Sequence, residues 1–209
     1  LTEGPRAKKL PAPSYAAPQL NDKPGWYRIA PHVHTVHSDG RLTPAEVIAL
    51  GKASGLDGIV STDHNTTSAL LHWGEVQDPE FLVINGVEVT YGQGHWNIFG
   101  LDPHAWIDFR IHHNDTLRYR KAVAKARKAG RLLVANHPYN LDFLYDVTPM
   151  DGIEVWNSAW SPANERAVEL WHTLLVGGNR KFAVASTDFH RGGNIASPHT
   201  VVRAEALSA

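Results

Sequence analysis

The chain has 209 residues, 43% hydrophobic and 20% charged, with a formal net charge of -1. That is ordinary globular composition for one domain, so disordered and fibrous classes drop out. No window holds the roughly 18 consecutive apolar residues that a membrane span needs, and 20 Lys and Arg against 21 Asp and Glu give no general footprint for a nucleic-acid backbone. A soluble domain is expected, without membrane or duplex nucleic-acid partners.

Residues 1–24 contain Pro5, Pro11, Pro13, Pro18 and Pro24 with neither helical nor strand period, and read as an extended leader before a domain over 25–209. From Trp26 onward, short apolar runs predict strands at 26–33, 58–61, 81–84, 87–90, 96–101, 132–135, 153–156, 182–185 and 200–203. Between them, Thr43-Pro44-Ala45-Glu46 is a capping box with proline at the first helical position, so a helix over about 44–54 is expected before Gly55. A second helix starts at Asn114 or Asp115 and stops at Gly130, and a third opens at Ser161-Pro162 and ends at Gly177-Gly178. Runs such as Leu132-Leu133-Val134-Ala135 do not alternate with polar residues, as in strands covered on both faces of a parallel sheet. The alternation predicts an α/β barrel or a doubly wound sheet, and in both folds ligands gather at the carboxyl ends of strands.

Cysteine is absent, which removes disulfides, thiolate metal sites and thiol catalysis, whereas histidine occurs 13 times and is the commonest metal ligand and general base. Many of the histidines stand where a strand should end. His32 and His34 are two apart, the spacing that puts side chains on one side of a strand, and Asp39 follows in the next loop. His64 follows the second strand with Asp63 beside it, suited to orient an imidazole. Glu88 interrupts an apolar run and therefore needs a cation. His95 lies in a glycine-rich approach to a strand. His137 follows another strand, and Asp188 and His190 repeat the two-residue spacing. Nitrogen and carboxylate donors without sulfur suit Zn²⁺, Mn²⁺ or Fe²⁺. The set is too large for one ion and fits two or three, an arrangement suited to hydrolysis.

The ordered motifs His32-x-His34-Thr35, Ser38-Asp39-Gly40, Thr62-Asp63-His64, Gly86-x-Glu88, Asn136-His137-Pro138 and Asp188-x-His190 resemble those of the PHP (polymerase and histidinol phosphatase) family of metal-dependent hydrolases. The resemblance runs over about residues 26–190 and implies a distorted (β/α)7 barrel. It also implies one metal held by His32, His34, Glu88 and Asp188. A second would be shared by Glu88 with His95 and His137, Asn97 or a histidine between 104 and 113 being the alternative to His95, and a third held by Asp39, His64 and His190. Trp26-Tyr27-Arg28, Gly94-His95-Trp96-Asn97 and Glu154-Val155-Trp156-Asn157 resemble the carbaryl-hydrolase (CehA/McbA-like) branch. The reaction expected is attack of a metal-bridging hydroxide on a small-molecule phosphoester, carboxylic ester or carbamate. Asp63 or His37 would protonate the leaving group, and Arg191, with Arg41 as a further cation, would anchor a substrate anion. The competing readings are a phosphoesterase specific for a phosphorylated metabolite or nucleotide, and a silent metal-binding domain.

Overall fold

The computed structural model describes residues 19–92, 94–112, 114–139 and 146–208. Its strands are β1 (Gly25–Val33), β2 (Gly58–Ser61), β3 (Leu82–Ile84), β4 (Gly86–Tyr91), β5 (Gly94–Phe99), β6 (Leu132–Asn136), β7 (Gly152–Asn157), β8 (Phe182–Ser186) and β9 (Thr200–Ala204). Its helices are α1 (Pro44–Ala53), α2 (Leu70–Trp73), α3 (Thr116–Ala129) and α4 (Pro162–Val176). Of the expected leader, residues 1–18 lie outside the described residues; Leu20 and Asn21 pair with Leu207.

Local chemistry sets the helix ends. Thr43 accepts from the Glu46 N–H while the Glu46 carboxylate accepts from the Thr43 N–H at 2.8 Å, which closes the capping box. Gly55, at φ 73°, carries the chain out of α1 in a conformation that costs a side-chain-bearing residue more. Asp115 caps α3 by accepting from the Arg118 N–H. The short α2 has no counterpart in the sequence expectations, because four residues are too few to show a period. It seats Trp73, whose indole N–H donates to Ser61 Oγ at 3.0 Å in the core.

The strands form two sheets, ordered β3-β2-β1-β9 and β4-β5-β6-β7-β8. Parallel pairing holds for β1/β2, β2/β3, β6/β7 and β7/β8, while β4, β5 and β6 are successively antiparallel and β9 runs antiparallel on β1. The result is an α/β fold, but a closed barrel of seven βα units is not seen among the described residues. The reason is visible on β1: β9 takes its edge over Gly25–Ile29, so β8 is not a ladder neighbour of β1, and the two meet near the end of β1 through the bridge Val33↔Phe189 and the Ser186 hydroxyl, which donates to the His32 carbonyl. On the other side β4 turns to pair with β5, and the segment after β2 meets it at the bridge His64↔Glu88 and through the Asn65 side chain, which bonds the Thr90 backbone. Both joints lie at the same rim.

Two of the three apolar clusters among the described residues hold helices on the sheets. Val47, Ile48, Leu70, Trp73 and Phe81 pack α1 and α2 on the first sheet, and Trp96, Ile98, Tyr119, Val123 and Ile153 pack α3 on the second. At the end opposite the joints, Ile29, Val60, Leu82, Phe99, Phe182 and Val184 line an apolar cavity of about 510 Å³.

Candidate metal centre

The rim where the sheets meet collects the histidines and carboxylates. The backbone hydrogen bonds His34 N to Phe189 O (2.8 Å), Thr62 N to Val33 O (3.0 Å) and Asn65 N to Glu88 O (2.9 Å) tie the ends of β1, β2, β4 and the segment after β8 together. His32 is the penultimate residue of β1 and His34 follows its end; their rings lie 5.1 Å apart. Glu88, wholly buried on β4, is the hub. Its Oε2 lies 3.3 Å from His32 Nε2, 3.4 Å from His34 Nε2 and 2.9 Å from His64 Nδ1. Its Oε1 lies 3.1 Å from His95 Nδ1 and 3.4 Å from His137 Nε2. Asp188 Oδ1 completes one corner at 3.2 Å from His32 Nε2 and 3.0 Å from His34 Nε2. Asp39 Oδ1 forms another, 3.3 Å from His190 Nε2, 3.6 Å from His64 Nε2 and 3.8 Å from His34 Nδ1.

All nine residues expected as ligands are thus brought to one place, in four overlapping groups: His34, Asp39, His64 and His190; His32, His137 and Asp188; His32, His34 and Glu88; and His64, Glu88 and His95. Within each group one ligand atom per residue lies within 4.8 Å of the others. Asn97, the alternative to His95, is buried opposite Glu88 in the β4/β5 register. His104 and His112 are exposed away from the groups, and His113 lies outside the described residues.

The lone pairs in this cluster face one another. His190 Nδ1 donates to the Asp188 carbonyl at 2.7 Å, so in the neutral ring Nε2 is an acceptor, and it points at the Asp39 carboxylate. His32 Nε2, His34 Nδ1, His137 Nδ1 and Glu88 Oε2 are buried without a hydrogen-bond partner among the described residues. Buried acceptors set against acceptors are costly. Cations between them, or protons on the imidazoles, remove the conflict, and the donor set fits divalent metal ions.

The titration behaviour follows from the same crowding. Burial pushes the His32 imidazole down, yet Asp188, Glu88 and Glu154 together hold it well above its ordinary value. Burial likewise opposes the charge on Glu88, but the facing imidazoles of His32, His137 and His64 keep its carboxyl well below the usual range. Asp188 is depressed in the same way, chiefly by His32 and His34. Glu88 raises His64 and His137 against their burial, whereas burial prevails at His34 and lowers it.

Backbone geometry shows how tightly the expected ligands are placed. His137 and Asp188 both have positive φ, 25° and 53°, the region in which strain collects at functional sites. The expectation that Asp188 and His190 share a side through strand period is corrected here: β8 ends at Ser186. The left-handed turn at Asp188 directs its carboxylate to His32 and His34 instead. Gly40 admits no side chain, since a Cβ there would lie 2.5 Å from the His34 carbonyl.

The three residues expected in other roles are placed differently. Asp63 is buried and accepts from the Thr35 N–H (2.8 Å), Thr35 Oγ1 (2.8 Å) and Ser38 Oγ (2.7 Å), which fastens the loop carrying Asp39. His37 Nδ1 meets Ser68 Oγ at 2.9 Å, and its ring lies 4.9 Å from His72. Arg191 is exposed beside His190, and the Arg41 N–H donates to the His190 carbonyl at 2.7 Å, so two exposed arginines flank that ligand. Trp96 is wholly buried core, while Trp156 is exposed against Trp160.

The sequence analysis assigned no role to Glu154, Asn136 or Asn157. Asn136 Nδ2 donates to Glu88 Oε1 at 2.7 Å. Glu154 is buried, with Oε1 3.1 Å from His32 Nδ1 and Oε2 accepting from the His137 N–H (2.9 Å) and Asn157 Nδ2 (3.1 Å). The available signal was an acidic residue inside the apolar run Gly152–Asn157, the same anomaly that marked Glu88.

No family model and no curated protein matches the chain. Solved structures do. A two-domain protein from Bacteroides vulgatus containing a predicted PHP-like metal-dependent phosphoesterase aligns over 84% of this chain with TM-score 0.61 and 22% identity. The fold is that of the PHP-like proteins. This chain covers 55% of the Bacteroides protein, so it spans little more than half its length. A further match is an amidohydrolase from Chromobacterium violaceum with bound sulfate and no metal: TM-score 0.58, 19% identity, 82% of this chain and 90% of that one. Another is a protein named as a metal-dependent phosphoesterase from Bifidobacterium adolescentis: TM-score 0.53, 17% identity, 86% and 92%. None of the three names points to the carbaryl-hydrolase branch of the PHP-like proteins.

Proposed function

We propose that this chain is a metal-dependent hydrolase that cleaves phosphoesters of small molecules. The observation that carries the reading is the convergence of six histidines and three carboxylates on one rim, with His32, His34, Glu88 and His137 buried at its floor and unpartnered atoms among them aimed at each other. His32, His34, Glu88 and Asp188 would hold one ion, Glu88, His95 and His137 a second, and Asp39, His64 and His190 a third. Divalent ions of the Zn²⁺, Mn²⁺ or Fe²⁺ type supply, when bound, an activated water and a Lewis acid for the ester oxygen.

The chain's own groups do the rest. Arg41 and Arg191 flank His190 at the exposed side of the rim and would orient a phosphoryl group through their planar donors. This pair favours a phosphorus centre over an uncharged ester or carbamate, which needs no such anchor. Two of the three structural neighbours are named as phosphoesterases, which supports the same choice. Asp63 and His37 are engaged in loop contacts, so the proposal gives neither the proton to the leaving group.

Hydrolysis of p-nitrophenyl phosphate, bis-p-nitrophenyl phosphate and 1-naphthyl N-methylcarbamate, each with Mn²⁺ or Zn²⁺, tests the reading. Turnover of a phosphate ester is expected. Turnover of the carbamate alone moves the assignment to a carbonyl centre, as the carbaryl-hydrolase resemblance implies, and bound metal without turnover of any substrate identifies a silent metal-binding domain.

A further inference from the structure

Glu154 is a buried carboxylate, 2% exposed, in none of the ligand groups formed by the described residues. Both of its oxygens face donors. Oε1 lies 3.1 Å from His32 Nδ1, and Oε2 takes the His137 backbone N–H at 2.9 Å and the Asn157 amide at 3.1 Å. One side chain on β7 therefore grips two ligand residues that come from β1 and from the end of β6. It holds the first by its ring and the second by its backbone, at the residue whose φ of 25° is strained. A carboxylate accepts only. When Nδ1 of neutral His32 carries the proton toward Glu154, Nε2 is left with its lone pair toward Glu88 Oε2 and Asp188 Oδ1.

We infer that Glu154 is a positioning residue of the metal centre: it fixes His32 in the tautomer that binds through Nε2 and pins the strained His137 backbone, so that the ion shared by these ligands binds tightly. The inference rests on the metal reading of the rim. Glu154 stands in none of the ligand groups and would act through His32 and His137. Its charge is needed because an amide in its place has one acceptor oxygen. Such an amide cannot serve the His32 ring on one side and the two N–H donors on the other. Its NH₂ group would either confront a donor or force His32 to carry the proton on Nε2, where no metal binds.

Two measurements test this. In Zn²⁺-loaded wild-type protein, long-range ¹H–¹⁵N correlation of the imidazoles is expected to show His32 protonated at Nδ1 and metal-bound at Nε2; coordination through Nδ1 overturns the inference without any variant. In Glu154→Gln, shown folded by its melting curve, titration of Zn²⁺ against a chelator is expected to show one ion held about 10- to 100-fold more weakly than in wild type, the usual effect of losing a ligand's outer partner. Glu154→Asp, which keeps the charge, is expected to recover part of that loss. Equal Zn²⁺ affinity in wild type and Glu154→Gln overturns the inference alone. Failure of wild-type protein to bind any ion overturns the metal reading, and the inference with it.

Discussion

At the rim where β1, β2 and β4 come together the buried side chains are His32, His34, Asp63 and Glu88; at the other end of the same sheets they are Ile29, Val60, Leu82 and Val184. The apolar end holds a cavity of about 510 Å³ lined mostly by apolar side chains, with Arg131, Arg203 and the hydroxyls of Tyr27, Thr200 and Ser208 but no histidine or carboxylate. The rim is crowded with acceptors in conflict. Packing at the apolar end stabilises the sheets and asks for nothing else. At the rim, buried histidines and carboxylates oppose folding unless something charged sits between them. The contrast separates residues that make the fold from residues that make the site, and substitutions at the two ends should behave differently.

The largest effect is expected from Glu88→Gln. It removes the charge that faces His32, His34, His64, His95 and His137, so ion binding should weaken by more than about 100-fold, beyond the loss typical of an outer partner. Calorimetric titration with Mn²⁺ would measure it, and p-nitrophenyl phosphate turnover should fall with it. Leu82→Ala is the converse test. Leu82 is 1% exposed in the apolar end, and the substitution should cost about 2–5 kcal/mol of stability in a urea melt while ion stoichiometry at saturation stays unchanged.

A pH series on metal-free protein sharpens the contrast through the rim alone. His32, His64 and His137 are raised above 6.5 in the fold; their contribution is full below 6.5 and is lost as pH rises through the folded values. Glu88 and Asp188 are depressed below 4.5 and 3.8. Their contribution is present above those values and lost only in stronger acid. His34 is lowered by burial and opposes the histidine trend on the acid side. The melting temperature of metal-free protein should therefore fall as pH rises above about 6.5. Saturation with Zn²⁺ should remove the fall, because binding needs neutral imidazoles and tightens with pH. The smallest effect belongs to Thr43→Ala, which opens the α1 capping box and should cost about 1 kcal/mol with no change in ion binding.

Much of this organisation was legible in the sequence because the punctuation is strong. Capping at Thr43, glycines at 55 and 130, and apolar runs between them mark strands and helices that the structure places within a few residues. The ligand residues were legible because a polar residue at a strand's end, or inside an apolar run like Glu88, has no packing reason to be there. Closure of the barrel was not legible. Whether β8 or β9 takes the edge of β1 depends on long-range pairing that local pattern does not record. Glu154 shows the same limit: its run reads like that of Glu88, but only the fold reveals that its partners are donors on His32, His137 and Asn157. Asp63 was noted as a residue that could orient a neighbour, yet its partners, Thr35 and Ser38, become visible only when β1 and β2 lie side by side.

Elemental analysis of protein purified without chelator, alongside a His32→Ala, His34→Ala double variant checked for folding, is the most direct test of the central claim. The account predicts two or three divalent ions per wild-type chain, with fewer in the variant. Wild-type protein free of metal, and remaining so after equilibration with Mn²⁺ and Zn²⁺, would contradict it.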